Sequence, residues 1–119
     1  MKILIADDSP TIVDVVQFFL HTQGYEVITA SDGIEAIVKT YQTRPDLVLL
    51  DIEMPKMNGY QVCRLLKSDE ITKAIPIIIL TSRDQKSDRF WGLLTGADEF
   101  MTKDFESENE LFTTIQKVL

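Results

Sequence analysis

Apolar runs that end abruptly in polar residues recur along the chain. Three of them, at 3–6, 47–50 and 77–80, are continuously apolar. Runs of this kind are typical of strands covered on both faces of a parallel sheet. Two further segments, 26–30 and 99–102, are more polar or shorter and fit strands nearer the edges of a sheet. The pattern therefore predicts five strands.

Amphipathic segments with helix-capping residues lie between these strands. Ser9 and Pro10 supply an N-cap and a proline at the first helical position. Asp32 opens the second helix, with Glu35 three residues later in a capping-box pattern. Asn58 precedes the third helix. Helical spacing of apolar residues extends through the third, fourth and last helices, at Val62, Leu65, Leu66, Phe90, Leu93, Leu94, Leu111, Ile115 and Val118.

Five strand–helix units joined by short loops predict an α/β fold in a single domain spanning residues 1–119. The fold class expected is a doubly wound, five-stranded parallel sheet of the flavodoxin-like type, with strand order 2-1-3-4-5. In that order the first and third strands are neighbours at the topological switch point. Folds of this class bind ligands there.

Composition narrows the possible functions. The chain has 119 residues and a net charge of −7, which argues against direct nucleic-acid binding because such a surface is basic. No apolar stretch reaches the roughly 20 residues of a membrane-spanning helix, and the N-terminus lacks the pattern of a signal peptide. The single cysteine, Cys63, cannot form an internal disulfide. We therefore expect a cytoplasmic protein without membrane contact.

Polar residues that could bind a metal or react with a phosphoryl group follow four of the strands. Asp7 and Asp8 follow the first, Asp51 the third, Thr81 the fourth, and Lys103 the fifth. Clustered carboxylates repel one another unless a cation joins them, and oxygen ligands suit Mg²⁺. An aspartate can act as a nucleophile towards phosphorus, while a lysine and a hydroxyl bind phosphoryl oxygens. The set predicts phosphoryl acceptance by a carboxylate.

Four segments carry a family resemblance, and each of them lies at the end of a predicted strand. They read IADDS at 5–9, DIEMPKMNG at 51–59, LTS at 80–82 and GADEFMTK at 96–103. With these motifs in this order, the chain resembles the receiver domains of bacterial response regulators in two-component signalling. The resemblance implies a phospho-accepting switch that assists its own phosphorylation and dephosphorylation, and not a turnover enzyme.

The resemblance also implies a role for each acidic residue. Asp51 would be phosphorylated by a sensor histidine kinase or a phosphotransfer protein. Asp8 and Asp51 would bind Mg²⁺ through their side chains and Glu53 through its backbone carbonyl, with Asp7 acting through a metal-bound water.

Three further residues would couple phosphorylation to output. Thr81 would bind the phosphoryl group, Lys103 would pair with Asp51 and then with the phosphoryl group, and Phe100 would be the aromatic switch. The face of the fourth helix, fifth strand and last helix would contact an output domain, a downstream protein or a second copy of the chain. Asp104 stands where the family has proline, so we expect a trans peptide after Lys103, because a cis bond without proline costs about 3–4 kcal/mol.

Two other functions fit the same residues less well. An aspartate-nucleophile phosphohydrolase commonly has two aspartates two residues apart after one strand, whereas Asp7 and Asp8 are adjacent. A nucleotide-binding domain would need a glycine-rich phosphate loop after the first strand, which the sequence lacks.

Overall fold

The computed structural model describes residues 1–82, 94–103 and 108–119. Its five strands form one parallel sheet in the order β2-β1-β3-β4-β5, which confirms the predicted topology. The strands are β1 (Lys2–Ala6), β2 (Glu26–Ala30), β3 (Leu47–Asp51), β4 (Ile77–Thr81) and β5 (Glu99–Thr102). The described helices are α1 (Pro10–Thr22), α2 (Gly33–Thr43), α3 (Gly59–Ser68) and the last helix (Glu108–Val118). Most of the predicted fourth helix and the Lys103–Asp104 peptide lie outside the described residues.

The central strands are buried on both faces, as their continuous apolar runs predict. Every residue of β3 and of β4 is buried. One face of the sheet packs against α2 and α3, in a layer that includes Leu4, Leu50, Ile79, Ala36 and Leu66. The other face packs against α1 and the last helix, in a layer that includes Ile5, Leu49, Leu20, Leu111 and Ile115. Adjacent strand residues therefore enter different layers, and a polar residue in either strand would lose its hydration.

Parallel register brings the ends of four strands to one edge of the sheet. Ala6 lies opposite Leu50, Asp51 opposite Leu80, and Thr81 opposite Thr102. The residues after these positions must leave the sheet at its carboxyl edge. The apolar layers thus fix where the polar residues of the loops begin.

Side-chain caps define where the helices begin. The Ser9 hydroxyl accepts a hydrogen bond from the Ile12 amide, and Asp32 accepts one from the Glu35 amide at 2.7 Å. The Glu35 carboxylate bonds to Ser31 and not to the Asp32 amide, so the capping box expected at α2 is only half formed. The reciprocal capping box lies instead at α3, between Asn58 and Gln61. No described helix is long and apolar enough to cross a membrane.

A lysine-centred network holds together the edge of the sheet opposite the strand ends described above. The Lys67 ammonium lies 2.7 Å from an Asp98 carboxylate oxygen and donates to the Ile75 carbonyl at 2.8 Å. The same Asp98 oxygen accepts a bond from the Ile77 amide at 2.8 Å. With a side chain only 15% exposed, Lys67 links the end of α3 to the start of β4 and the approach to β5.

We expect Lys67→Met to destabilise the fold by about 1–3 kcal/mol, because the Ile75 carbonyl and the Asp98 carboxylate lose a charged donor. The measurement is urea-induced unfolding followed by circular dichroism. Lys73→Met is the matched control, because Lys73 pairs with Glu70 on the surface, where ion pairs contribute little. Equal losses in the two variants would contradict a stabilising role for the Lys67 network.

Candidate functional site

Three carboxylates meet at the carboxyl edge of the sheet. Asp7 and Asp8 follow β1, and Asp51 is the last residue of β3. One oxygen from each can be chosen such that all three lie within 4.8 Å of one another. Asp7 and Asp51 are buried whereas Asp8 is exposed. The acidic cluster predicted from the strand ends is therefore present, with one side open to solvent.

Lys103 lies between the two buried carboxylates. Its ammonium is 2.6 Å from Asp7 Oδ2 and 2.9 Å from Asp51 Oδ1, and its side chain is 12% exposed. The Lys103 amide donates to the Thr81 carbonyl at 2.7 Å, which extends the pairing of β5 with β4 by one residue. Pairing with Asp51 was expected from the resemblance, but the equally close contact with Asp7 was not.

The second oxygen of Asp7 is incompletely satisfied. Asp7 Oδ1 accepts a hydrogen bond from the Ser9 amide at 2.9 Å. Oδ2 is fully buried and has no hydrogen bond of normal geometry among the described residues, although the Lys103 ammonium is near it. With the ammonium as its one partner among the described residues, this carboxylate oxygen still has a lone pair to offer. This oxygen is suited to a further positively charged or hydrogen-bonding ligand.

The electrostatics of the site follow from burial. Burial raises the pKa of Asp51 to about 6, the nearby charge of Asp7 adds to the rise, and the Lys103 ammonium and the Glu53 backbone N–H oppose it. Burial also lowers the pKa of Lys103, but its hydrogen bonds and charge interactions with Asp7 and Asp51 outweigh that effect and raise the pKa overall. Two of the three carboxylates thus share one ammonium, and the donor set fits a divalent cation with oxygen ligands.

The loop after β3, residues 52–58, forms one wall of the site. The backbone N–H of Glu53 donates to the Asp51 carboxylate, so the Glu53 peptide lies at the cluster while its side chain is exposed. The Gly59 amide returns to the Ile52 carbonyl at 2.8 Å. A Cβ at Gly59 would lie 2.2 Å from the Asp51 carbonyl oxygen, which excludes any other residue without a backbone shift. In the sequence, Gly59 stands out only as the last residue of the 51–59 motif, and nothing in the motif predicts this close approach.

Thr81 and Phe100 take up different positions relative to the cluster. Thr81 is buried at the end of β4, on the same edge as the carboxylates. Phe100 lies opposite Ile79 in the β4–β5 pairing, and its ring is buried in the layer formed with α2 and α3. The structure therefore brings Thr81 to the edge of the site and places Phe100 in the core behind it.

An open cavity of about 520 Å³ lies beside Asp8. Its walls include Glu53, Met54, Asn58 and Tyr60. The exposed side of the carboxylate cluster therefore faces a space large enough for a side chain that carries a phosphoryl group. The arrangement combines a buried carboxylate, a lysine and an accessible opening.

Comparison with known proteins gives the same interpretation for almost the whole chain. The sequence model of the family described as "Response regulator receiver domain" matches residues 3–116. The alkaline phosphatase synthesis transcriptional regulatory protein PhoP of Bacillus subtilis is 42% identical over 118 residues, and the match covers 99% of this chain and 48% of PhoP. Protein PilH of Pseudomonas aeruginosa is also 42% identical over 118 residues, and there the match covers 97% of the relative. The chain therefore spans about half the length of one relative and nearly all of the other.

A solved structure of a similar receiver domain supports the fold and contains a magnesium ion. The receiver domain of a sensor histidine kinase from Pseudomonas aeruginosa PAO1 superposes with a TM-score of 0.89 at 31% identity, covering 98% of this chain and 94% of that one. Its crystal structure has a magnesium ion coordinated in the active-site cleft. Receiver domains bind Mg²⁺ in an acidic pocket and interact with histidine kinases and output domains, as signalling switches and not as classical enzymes. The fold, the acidic cluster and the match to the family sequence together assign this chain to the receiver domains of two-component response regulators.

Proposed function

We propose that Asp51 is the phosphoryl acceptor of this receiver domain. A carboxylate oxygen of Asp51 would attack the phosphorus of a phosphohistidine on a histidine kinase or phosphotransfer protein. The phosphorus–nitrogen bond breaks, and the imidazole leaves and takes up a proton. The observation that carries the proposal is the Lys103 ammonium, which lies 2.6 and 2.9 Å from Asp7 and Asp51 and is positioned to bind phosphoryl oxygens added there.

The same carboxylates would hold Mg²⁺. Asp8 and Asp51 would bind it through their side chains and Glu53 through its backbone carbonyl, and Asp7 would reach it through a water molecule. The buried Asp7 Oδ2, for which the described residues offer only the Lys103 ammonium, and the exposed Asp8 support this assignment. Bound there, the cation would supply positive charge that offsets the repulsion between the carboxylates and an incoming phosphoryl group. The wall formed by the 52–58 loop would orient its ligands.

Thr81, Lys103 and Phe100 would turn phosphorylation into a change of surface. A phosphoryl group adds about −1.5 to −2 charges near neutral pH. Lys103 would transfer its pairing to that group, and the Thr81 hydroxyl would bind it. Movement of Thr81 would alter the space available to the Phe100 ring and shift the population of two states.

The output of this switch would pass through the face that includes β5 and the last helix. Its partner would be an output domain, a downstream protein or a second copy of the chain. A cytoplasmic location stays a prediction. The family match does not favour an aspartate-nucleophile phosphohydrolase, and the adjacent positions of Asp7 and Asp8 do not match the spacing expected of such an enzyme.

We expect the wild-type protein to take up one phosphate per chain from acetyl phosphate with Mg²⁺, and Asp51→Asn to take up none. Intact-protein mass spectrometry measures the added phosphate, and EDTA should abolish it. Asp46→Asn is a matched control at the opposite edge of the sheet, where the Asp46 carboxylate accepts a hydrogen bond from the Lys2 amide at 2.8 Å. A phosphorylated Asp51→Asn protein, or continuous release of phosphate from simple esters by the wild type, would contradict the proposal.

Replacing Lys103 should have opposite effects on the metal and on phosphorylation. Lys103→Met removes the only described ammonium within salt-bridge distance of Asp7 and Asp51. Mg²⁺ should then bind more tightly, because the cluster becomes more negative, while phosphorylation should slow by about 10²-fold because a charged donor is lost. Titration calorimetry and phosphorylation kinetics measure the two effects. Lys117→Met, on the exposed side of the last helix, should change neither, and weaker Mg²⁺ binding in Lys103→Met would contradict the charge argument.

The stability difference between Asp51→Asn and wild type should depend on pH in the metal-free protein. The pKa of Asp51 is raised from 3.8 to about 6 on folding, so the folded chain binds this proton more tightly than the unfolded chain does. The stabilising contribution of the proton is therefore fully present below pH 3.8 and is lost as the pH rises through about 6. At about 1.4 kcal/mol per pKa unit, Asp51→Asn should gain roughly 2–3 kcal/mol on wild type over that range. Urea unfolding in EDTA at several pH values measures it, and a pH-independent difference would exclude the assigned cause.

A further inference from the structure

Helix α2 contributes no carboxylate to the cluster, yet its first residue is bonded to the loop that forms the wall of the site. The Gly33 amide donates to the Pro55 carbonyl at 3.2 Å, and the Met57 amide donates to the same carbonyl at 2.8 Å. The Lys56 ammonium adds a longer contact, 3.5 Å from the Asp32 carboxylate at the N-cap of α2. The tip of the 52–58 loop is therefore attached to the start of α2.

The space at Gly33 makes this attachment specific to glycine. A Cβ at this position would lie 2.1 Å from the Met57 carbonyl oxygen and 2.5 Å from the Met57 Cβ. The first of these atoms belongs to the backbone, so a side-chain rotation cannot relieve the contact. Lys56, the residue before Met57, already has a positive φ of 71°, so the loop has little freedom to adjust at that point. A larger residue at 33 has to push the loop away from α2.

The attached tip is close to the proposed metal ligand. Glu53 lies two residues before Pro55, and its backbone N–H is bonded to the Asp51 carboxylate. The other end of the loop is held by the Gly59 amide on the Ile52 carbonyl. The Glu53 carbonyl thus lies on a short stretch of backbone between two anchors, Ile52 and Pro55. A shift of either anchor must move that carbonyl or strain the stretch.

We propose that Gly33 is a positioning residue for Mg²⁺ binding, because its close contact with Pro55 and Met57 holds the Glu53 carbonyl at the carboxylate cluster. This inference rests on the proposed function, in which that carbonyl binds the metal. It makes the α2 terminus part of the support of the site. Residues that orient metal ligands commonly change metal affinity by about 10–100-fold when replaced.

Comparison of two glycine-to-alanine variants tests the proposal. We expect Gly33→Ala to raise the dissociation constant for Mg²⁺ by about 10-fold or more in titration calorimetry. Phosphorylation of this variant by acetyl phosphate should recover at high Mg²⁺ concentration. Gly24→Ala is the control, because a Cβ there meets nothing within 4 Å but the φ of +82° strains it. That variant should lose stability and keep the wild-type Mg²⁺ affinity, whereas equal affinities in the two variants would overturn the proposal.

Hydrogen exchange of the wild-type protein tests the proposal even if Gly33→Ala fails to fold. Coupling between two sites is reciprocal, so Mg²⁺ should stabilise the Gly33–Pro55 bond as that bond stabilises the metal site. Hydrogen exchange of the Gly33 amide should therefore slow when Mg²⁺ is added. The Gly24 amide, bonded to the His21 carbonyl at 3.0 Å, should exchange at an unchanged rate.

The possible failures can be told apart. A wild-type protein that neither binds Mg²⁺ nor accepts phosphate on Asp51 would overturn the proposed function, and the inference with it. A wild type that does both, with Gly33 exchange indifferent to Mg²⁺, would overturn the inference alone.

Discussion

The repulsion among three clustered carboxylates, two of which share one lysine, is the constraint on which the site depends. Asp7 and Asp51 are buried, and the Lys103 ammonium lies within 3 Å of both. One positive charge cannot neutralise all three acids, and burial, together with the nearby charge of Asp7, raises the pKa of Asp51. The packed sheet around the site holds these carboxylates in place, and the exposed Asp8 leaves one side open to further positive charge. Under the proposed function, the same shortage of positive charge makes the site responsive to a metal and to a phosphoryl group.

The sheet holds the acidic cluster in place through its two apolar layers. Residues of β3 and β4 alternate between the α2/α3 layer and the layer of α1 and the last helix, and none of them is exposed. A slip of β3 in one direction would draw Asp51 into the core, and a slip in the other would move apolar residues beyond the carboxyl edge. The position of the acidic cluster is thus a consequence of packing that takes place well away from it. Phe100 is buried in one of these layers, and it lies opposite Ile79 in β4, the strand that ends at Thr81.

The loop after β3 shows how a site can depend on residues that have no reactive group. Gly59, just after the loop, lies close to the backbone of β3, and Gly33 lies close to the tip of the loop. Neither contact contributes charge or a ligand atom. Together they leave the Glu53 peptide, which is bonded to Asp51, little room to move. The geometry of the acidic site is in this sense shared between the strand that carries Asp51 and a helix that carries no acid of the cluster.

The pattern of apolar and polar residues along the chain is enough to predict the strands, the strand order and the acids at the strand ends. Continuous apolar runs identify buried parallel strands because such strands lose hydration on both faces, and strand–helix alternation leaves few topologies. Motif resemblance then separated the expected roles of Asp8, Asp51, Thr81 and Lys103. Tertiary structure alone decided that Lys103 contacts Asp7 as closely as Asp51, and that Gly33 touches the 52–58 loop. Both facts depend on distances between segments far apart in sequence, which spacing along the chain cannot specify because they are set by how the layers pack.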